Sequence, residues 1–102
     1  MITFVRTADI RDGKAPQAIE WALKIAAHLN ETLQTNFAVQ RNVGGPVNQL
    51  HWVDTYDSLG ALEVILAKIQ EDDGYRQLLA ETVEDPLFFA NSVVDNLYRS
   101  IP

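Results

Sequence analysis

"QLHWVDTYDSLGALEVILAKI", Gln49–Ile69, changes its hydrophobic period part-way along. As far as Thr55, apolar and polar residues alternate, the two-residue period of a half-buried strand. Leu50 and Trp52 fall on one face, His51 and Val53 on the other. Asp57 or Ser58 can then cap a helix, along which Leu59, Leu62, Leu66 and Ile69 recur at helical spacing. The stretch therefore predicts a strand over Asn48–Thr55 running into a capped helix that ends in the acidic "QEDDG".

Upstream, "NFAVQRNV" (Asn36–Val43) alternates too, and "GGPV" reads as a tight connection whose glycines accept positive φ. An antiparallel hairpin would set Val39 opposite Trp52 and Gln40 opposite His51. "ITFVRTAD" (Ile2–Asp9) puts Ile2, Phe4 and Arg6 on one face and Thr3, Val5 and Thr7 on the other; "RDGK" reads as a turn. Pro16 suits the first turn of a helix that runs to about Thr35. Its predicted inner stripe is Ile19, Leu23, Ala26, Leu29 or Asn30, and Leu33, widened by Ala22, with Trp21, Ile25 and His28 on the adjacent flank. Downstream, "YRQLLAE" is a short extra helical piece, Pro86 breaks it, and "LFFANSVVDNLYRSI" reads as a last, long strand. The order β-α-β-β-α-(α)-β is the ferredoxin-like α+β pattern, a four-stranded antiparallel sheet with helices on one face.

The 102 residues are expected to form one domain, 1–102, large enough to bury a core without staples. With no cysteine, disulfides, thiolate chemistry and Cys-based zinc sites are excluded. The net charge of −6 and the absence of a Lys/Arg cluster argue against nucleic acid and against an anionic membrane surface. No apolar run approaches a membrane span, and "MITFVRTADI" does not read as a signal peptide, so a cytoplasmic location is expected.

Carried across the sheet, the alternation gives one apolar face of Ile2, Phe4, Phe37, Val39, Leu50 and Trp52, expected under the helices. The other face, around Thr7, Gln40, Asn42, His51, Val53 and Thr55, is mixed. It either meets water or closes against a second copy. The last strand favours the copy: the pairs Phe88–Phe89 and Val93–Val94, then Leu97 and Tyr98, put apolar surface on both of its faces. A homodimer through the sheet face and the C-terminal strand is expected.

"HWVDTYDSLGALEVILAKIQEDDGYRQLLAE", His51–Glu81, and the closing "LYRSIP" carry a family resemblance. An aromatic strand runs into "YDSL", a capped helix follows, then "DDGYRQLL". In these motifs the chain resembles the dimeric α/β-barrel superfamily and, within it, the small NIPSNAP-like proteins; its first half matches only in element order. The resemblance implies a ferredoxin-like protomer that pairs sheet to sheet. The superfamily also includes cofactor-free antibiotic-biosynthesis monooxygenases, haem-degrading enzymes and dye-decolourising peroxidases, so fold does not fix function. His51 and His28 are the only possible haem ligands and neither stands in a haem motif; no cofactor is expected.

His51 is the foremost site candidate, as a general acid or base on the mixed face with Gln40 opposite and Asn42 nearby. The plainer reading is a histidine bonded to Gln40 or a buried water. Trp52 reads as core, and Asp54 as the partner of Arg6 or Arg41. Those two arginines, if brought together, would hold an anionic ligand. Tyr56 either aims its hydroxyl into a pocket or covers the core edge, and His28 is expected in solvent. There is no P-loop, G-x-G-x-x-G, G-x-S-x-G or H-E-x-x-H. Three readings stay open: a small-ligand binder with a cavity at the sheet, a cofactor-independent, monooxygenase-like enzyme with His51 as acid/base, and a structural or interaction dimer without a site.

Overall fold

A computed structural model describes all 102 residues. Strand β1 (Ile2–Asp9) leads into helix α1 (Ala15–Leu33), then β2 (Ala38–Arg41), β3 (Gln49–Tyr56), α2 (Leu59–Glu71), α3 (Asp73–Ala80), a 3-10 turn at Ala90–Ser92, and β4 (Val94–Arg99). The sheet is antiparallel in the order β2-β3-β1-β4, the ferredoxin-like arrangement expected from the sequence. Val39 pairs with Trp52 and Gln40 with His51, the anticipated register. That register survives a connection longer than "GGPV": residues 42–48 all lie outside the two strands.

Ser58, rather than Asp57, caps α2, its hydroxyl accepting the Ala61 N–H at 3.1 Å. Ile2, Phe4, Leu50 and Trp52 form one buried cluster with Ala18, Ala22, Ile25 and Leu29 of α1 and Leu62 and Ile69 of α2. The apolar face of the sheet therefore lies under the helices.

Two expectations need correcting. Helix α1 buries Ala18, Ala22, Ile25, Ala26 and Leu29, while Leu23 is 54% exposed. The inward face is turned toward the Trp21–Ile25–His28 flank because α3 packs there: the Trp21 indole N–H donates to the Leu78 carbonyl at 2.9 Å. The small side chains of Ala18 and Ala22, both fully buried, let α1 approach the sheet closely.

The last strand is also shorter than predicted. Phe88 makes only an isolated bridge to Ile10, and the chain turns at Ala90–Ser92 before β4 starts. Ser92 causes the break. Its hydroxyl accepts the Asp9 N–H at 2.9 Å, a donor that a continuous ladder would use, and donates to the Phe89 carbonyl at 2.6 Å. Phe88 and Phe89 still point apart, Phe88 against the core and Phe89 outward under the Arg11 guanidinium.

Candidate functional site

The helices do not close fully on the sheet. Between them lies a cavity of about 420 Å³, within the usual range of small-molecule sites, about 300–1,000 Å³. Fifteen of its 19 lining residues are hydrophobic, so its wall is mostly apolar. Trp21 of α1, Trp52 of β3 and Phe88 form an aromatic wall. Phe88 sits 5.8 Å from Trp21 and 5.7 Å from Trp52, and the two indoles meet edge to face at 6.4 Å. Each ring is fixed from outside the cavity: Trp21 by its bond to Leu78, Trp52 by its place in the sheet, Phe88 by the bridge to Ile10.

Arg6 is the one charged residue lining this cavity. The register places it between Trp52 on β3 and Asp95 on β4. Asp95 grips it in a fork, Nε to Oδ1 at 2.7 Å and Nη2 to Oδ2 at 2.9 Å. The bond to Asp95 raises the guanidinium pKa against the opposing effect of burial, and the neighbouring Tyr75 acts in the same sense as Asp95. Arg6 also lies over the Phe4 ring, 5.8 Å from its centre. The polar end of the cavity is therefore a charged, tethered guanidinium with a phenol beside it.

His51 is elsewhere, half-buried on the open face of the sheet, and does not line the cavity. Its bonds go to Thr7 and Asn42, not to Gln40 as the plainer reading had it. Nδ1 lies 2.7 Å from the Thr7 hydroxyl, and Nε2 contacts Asn42 Oδ1. Asn42 Nδ2 donates to Gln49 Oε1 at 3.2 Å, and Gln49 Nε2 donates to Asp9 Oδ1 at 2.9 Å. With each amide accepting on one side and donating on the other, the chain has one direction. His51 Nε2 then donates to Asn42, and the run ends on the Asp9 carboxylate. Gln40 is exposed beside it.

The two arginines are not brought together. Arg41 stands on the outer strand β2, exposed and in no ion pair, while Arg6 belongs to Asp95. Asp54 takes neither. It is buried, and its carboxylate accepts the N–H groups of Asn36 at 3.1 Å and Thr55 at 2.8 Å. Backbone donors satisfy it because β2 begins directly across from it. The Tyr56 hydroxyl is buried without a hydrogen bond, at a second, shallower cleft with Asp54 and Thr35. Burial, and then the Asp54 carboxylate, push its pKa well above the ordinary phenol value. His28 is not in solvent: its Nε2 is 2.6 Å from Asp72, the carboxylate that caps α3 through the Tyr75 N–H.

Of the residues singled out from sequence, only Arg6 and Trp52 reach the cavity. Trp21, Tyr75 and Phe88 were missed as a group. The signal present was the aromatic flank of α1, which pointed to this side of the molecule without showing what faced it.

No family model matches the chain, and no curated protein matches it. Solved structures do. A NIPSNAP family protein from Agrobacterium tumefaciens superposes with a TM-score of 0.80 at 18% identity, over 98% of this chain and 85% of that one. An uncharacterised NIPSNAP-like domain protein from Burkholderia xenovorans gives 0.80 at 14%, covering 98% and 84%. A protein assigned as an antibiotic biosynthesis monooxygenase, from Deinococcus radiodurans, gives 0.67 at 16%, covering 100% and 94%. The chain has the ferredoxin-like α/β fold that these proteins share, and its resemblance to NIPSNAP family proteins is borne out in fold.

Proposed function

We propose that this protein binds a small, flat, mostly apolar molecule in the cavity between sheet and helices. Arg6 and Tyr75 meet the polar end of that molecule. The observation that carries the reading is the cavity itself: some 420 Å³ with an aromatic wall and a single charged group. A few polar groups converging on an apolar pocket is the usual composition of such a site. Trp21 and Trp52, the only tryptophans in the chain, both line it. Their fluorescence is therefore a direct readout. Titration with anilinonaphthalene sulfonate and a panel of neutral bicyclic aromatics is expected to give saturable quenching or energy transfer. No saturable response from any of them would defeat the reading.

The enzyme reading, a cofactor-independent monooxygenase-like activity with His51 as acid/base, draws support from the fold shared with the Deinococcus protein. It requires a substrate on the open face, at a ring whose two nitrogens are already engaged. That face better supports a homodimer. Val94 and Tyr98, 50% and 55% exposed, stand there beside Val5, Val53 and the half-buried polar chain through His51. A second copy would cover all of them. Light scattering at micromolar concentration is expected to give twice the chain mass, and Tyr98→Glu to give a monomer. A wild-type monomer would remove this part of the proposal.

A further inference from the structure

The cavity's polar end restricts what can bind there, an argument that rests on the binding role proposed above. A guanidinium offers five N–H donors on two edges and accepts nothing. Asp95 occupies the side-on edge, Nε and one Nη2 hydrogen. The end-on edge, Nη1 with the second Nη2 hydrogen, is not used by Asp95; the Tyr75 hydroxyl is its one neighbour within the chain, and Arg6 lines the cavity. Asp95 does not line it. The carboxylate that fixes the arginine thus stands outside the cavity that Arg6 lines. Tyr75, which also lines the cavity, adds a hydroxyl beside the guanidinium. No carboxylate and no histidine lines the space to compete for these donors.

We propose that the ligand is an aromatic monocarboxylate: its carboxylate takes the end-on fork of Arg6, and its rings lie against Trp21, Trp52 and Phe88. A planar group with two acceptor oxygens matches the two parallel N–H bonds of the fork, and an ionised acceptor makes the stronger bond. A basic ligand is excluded by the charge of Arg6. An apolar ligand without acceptor atoms would cover the end-on edge of Arg6 and offer it nothing in place of water, a cost for any polar group that is desolvated. The orientation of the guanidinium is already set by Asp95, so little order is lost when the carboxylate docks. Most of the acidic surface disfavours anions at a distance; the fork would select for one at short range.

The test compares naphthoate with naphthamide, the same rings with and without charge, by tryptophan fluorescence on the intact chain. Wild type is expected to bind naphthoate about tenfold more tightly than naphthamide, the difference between a charge-assisted and a neutral hydrogen bond. Arg6→Gln is expected to lose that preference while still binding naphthamide. Should Arg6→Gln fail to fold, Arg6→Lys keeps the charge without the fork and should reduce the preference at least about threefold. Equal or tighter binding of naphthamide by wild type, or a preference that survives both substitutions, would overturn the inference and leave the cavity intact as a neutral site. If neither compound nor any of the neutral aromatics binds, the binding role itself falls, and this inference with it.

Discussion

Replacing Asp54 tests how the fold holds the end of β3 and the start of β2. Asp54 is 6% exposed, and its two oxygens accept backbone N–H groups, Asn36 at 3.1 Å and Thr55 at 2.8 Å. A hydrogen bond to a charged group contributes about 1.5–3 kcal/mol. Asn36 and Thr55 are both exposed, so water takes over their N–H groups when the carboxylate is removed, which puts both bonds at the low end or below. Asp54→Ala should therefore cost about 1.5–3 kcal/mol. At about 4–8 °C per kcal/mol for a domain of this size, the melting temperature falls by about 6–24 °C. Asp54→Asn keeps one carbonyl acceptor and should lose roughly half as much. Urea unfolding followed by circular dichroism measures both, and an unchanged m-value shows that stability alone has moved. A loss under about 1 kcal/mol for Asp54→Ala would refute the reasoning. So would a double-mutant cycle with Arg6→Ala showing more than about 1 kcal/mol of coupling, because these residues share no partner here.

Other outcomes follow from single contacts. A Cβ at Gly74 would land on the His28 ring, so Gly74→Ala should lose about 1–2 kcal/mol despite alanine's better helix propensity, and a raised urea midpoint would contradict this. Gln34 ends α1 in the left-handed region at φ 56°; Gln34→Gly should gain about 1 kcal/mol, and a lower melting temperature would count against it. Ser58→Ala removes the α2 cap and should cost about 1 kcal/mol in the same urea assay; no change would mean that the cap is idle. The Tyr56 phenol is raised in the fold, so unfolding releases its proton once the pH exceeds the ordinary phenol value of 10. Its contribution to stability is full below that pH and declines above it. Tyr56→Phe should flatten the alkaline decline, and an identical decline in both proteins would contradict the sign.

The switch of period within Gln49–Ile69 was enough to place β3, the Ser58 region cap and α2, and an antiparallel hairpin at "GGPV" set Val39 opposite Trp52. These features are local: each depends on residues within a few positions or on one hairpin. What escaped depends on distant partners. Which side of α1 turns inward was decided by α3, through a bond from Trp21 to a carbonyl 57 positions away. The end of the last strand was decided by Ser92 taking the Asp9 amide, 83 positions back. Asp54 was assigned to an arginine because parity put them on one face, yet the nearer backbone donors won. The cavity has no sequence signal of its own, since a space between α1, α3 and the sheet is defined by what does not touch.

The central claim is that ligands enter between sheet and helices, not on the open face around His51. The measurement that tests it most directly is a nuclear magnetic resonance map of the labelled protein titrated with naphthoate. The indole N–H signals of Trp21 and Trp52 and the backbone amides of Tyr75 and Phe88 should shift together and saturate, while Asn42, Gln49 and His51 stay in place. Saturable shifts centred on His51 and Asn42, with both indoles unmoved, would contradict the account.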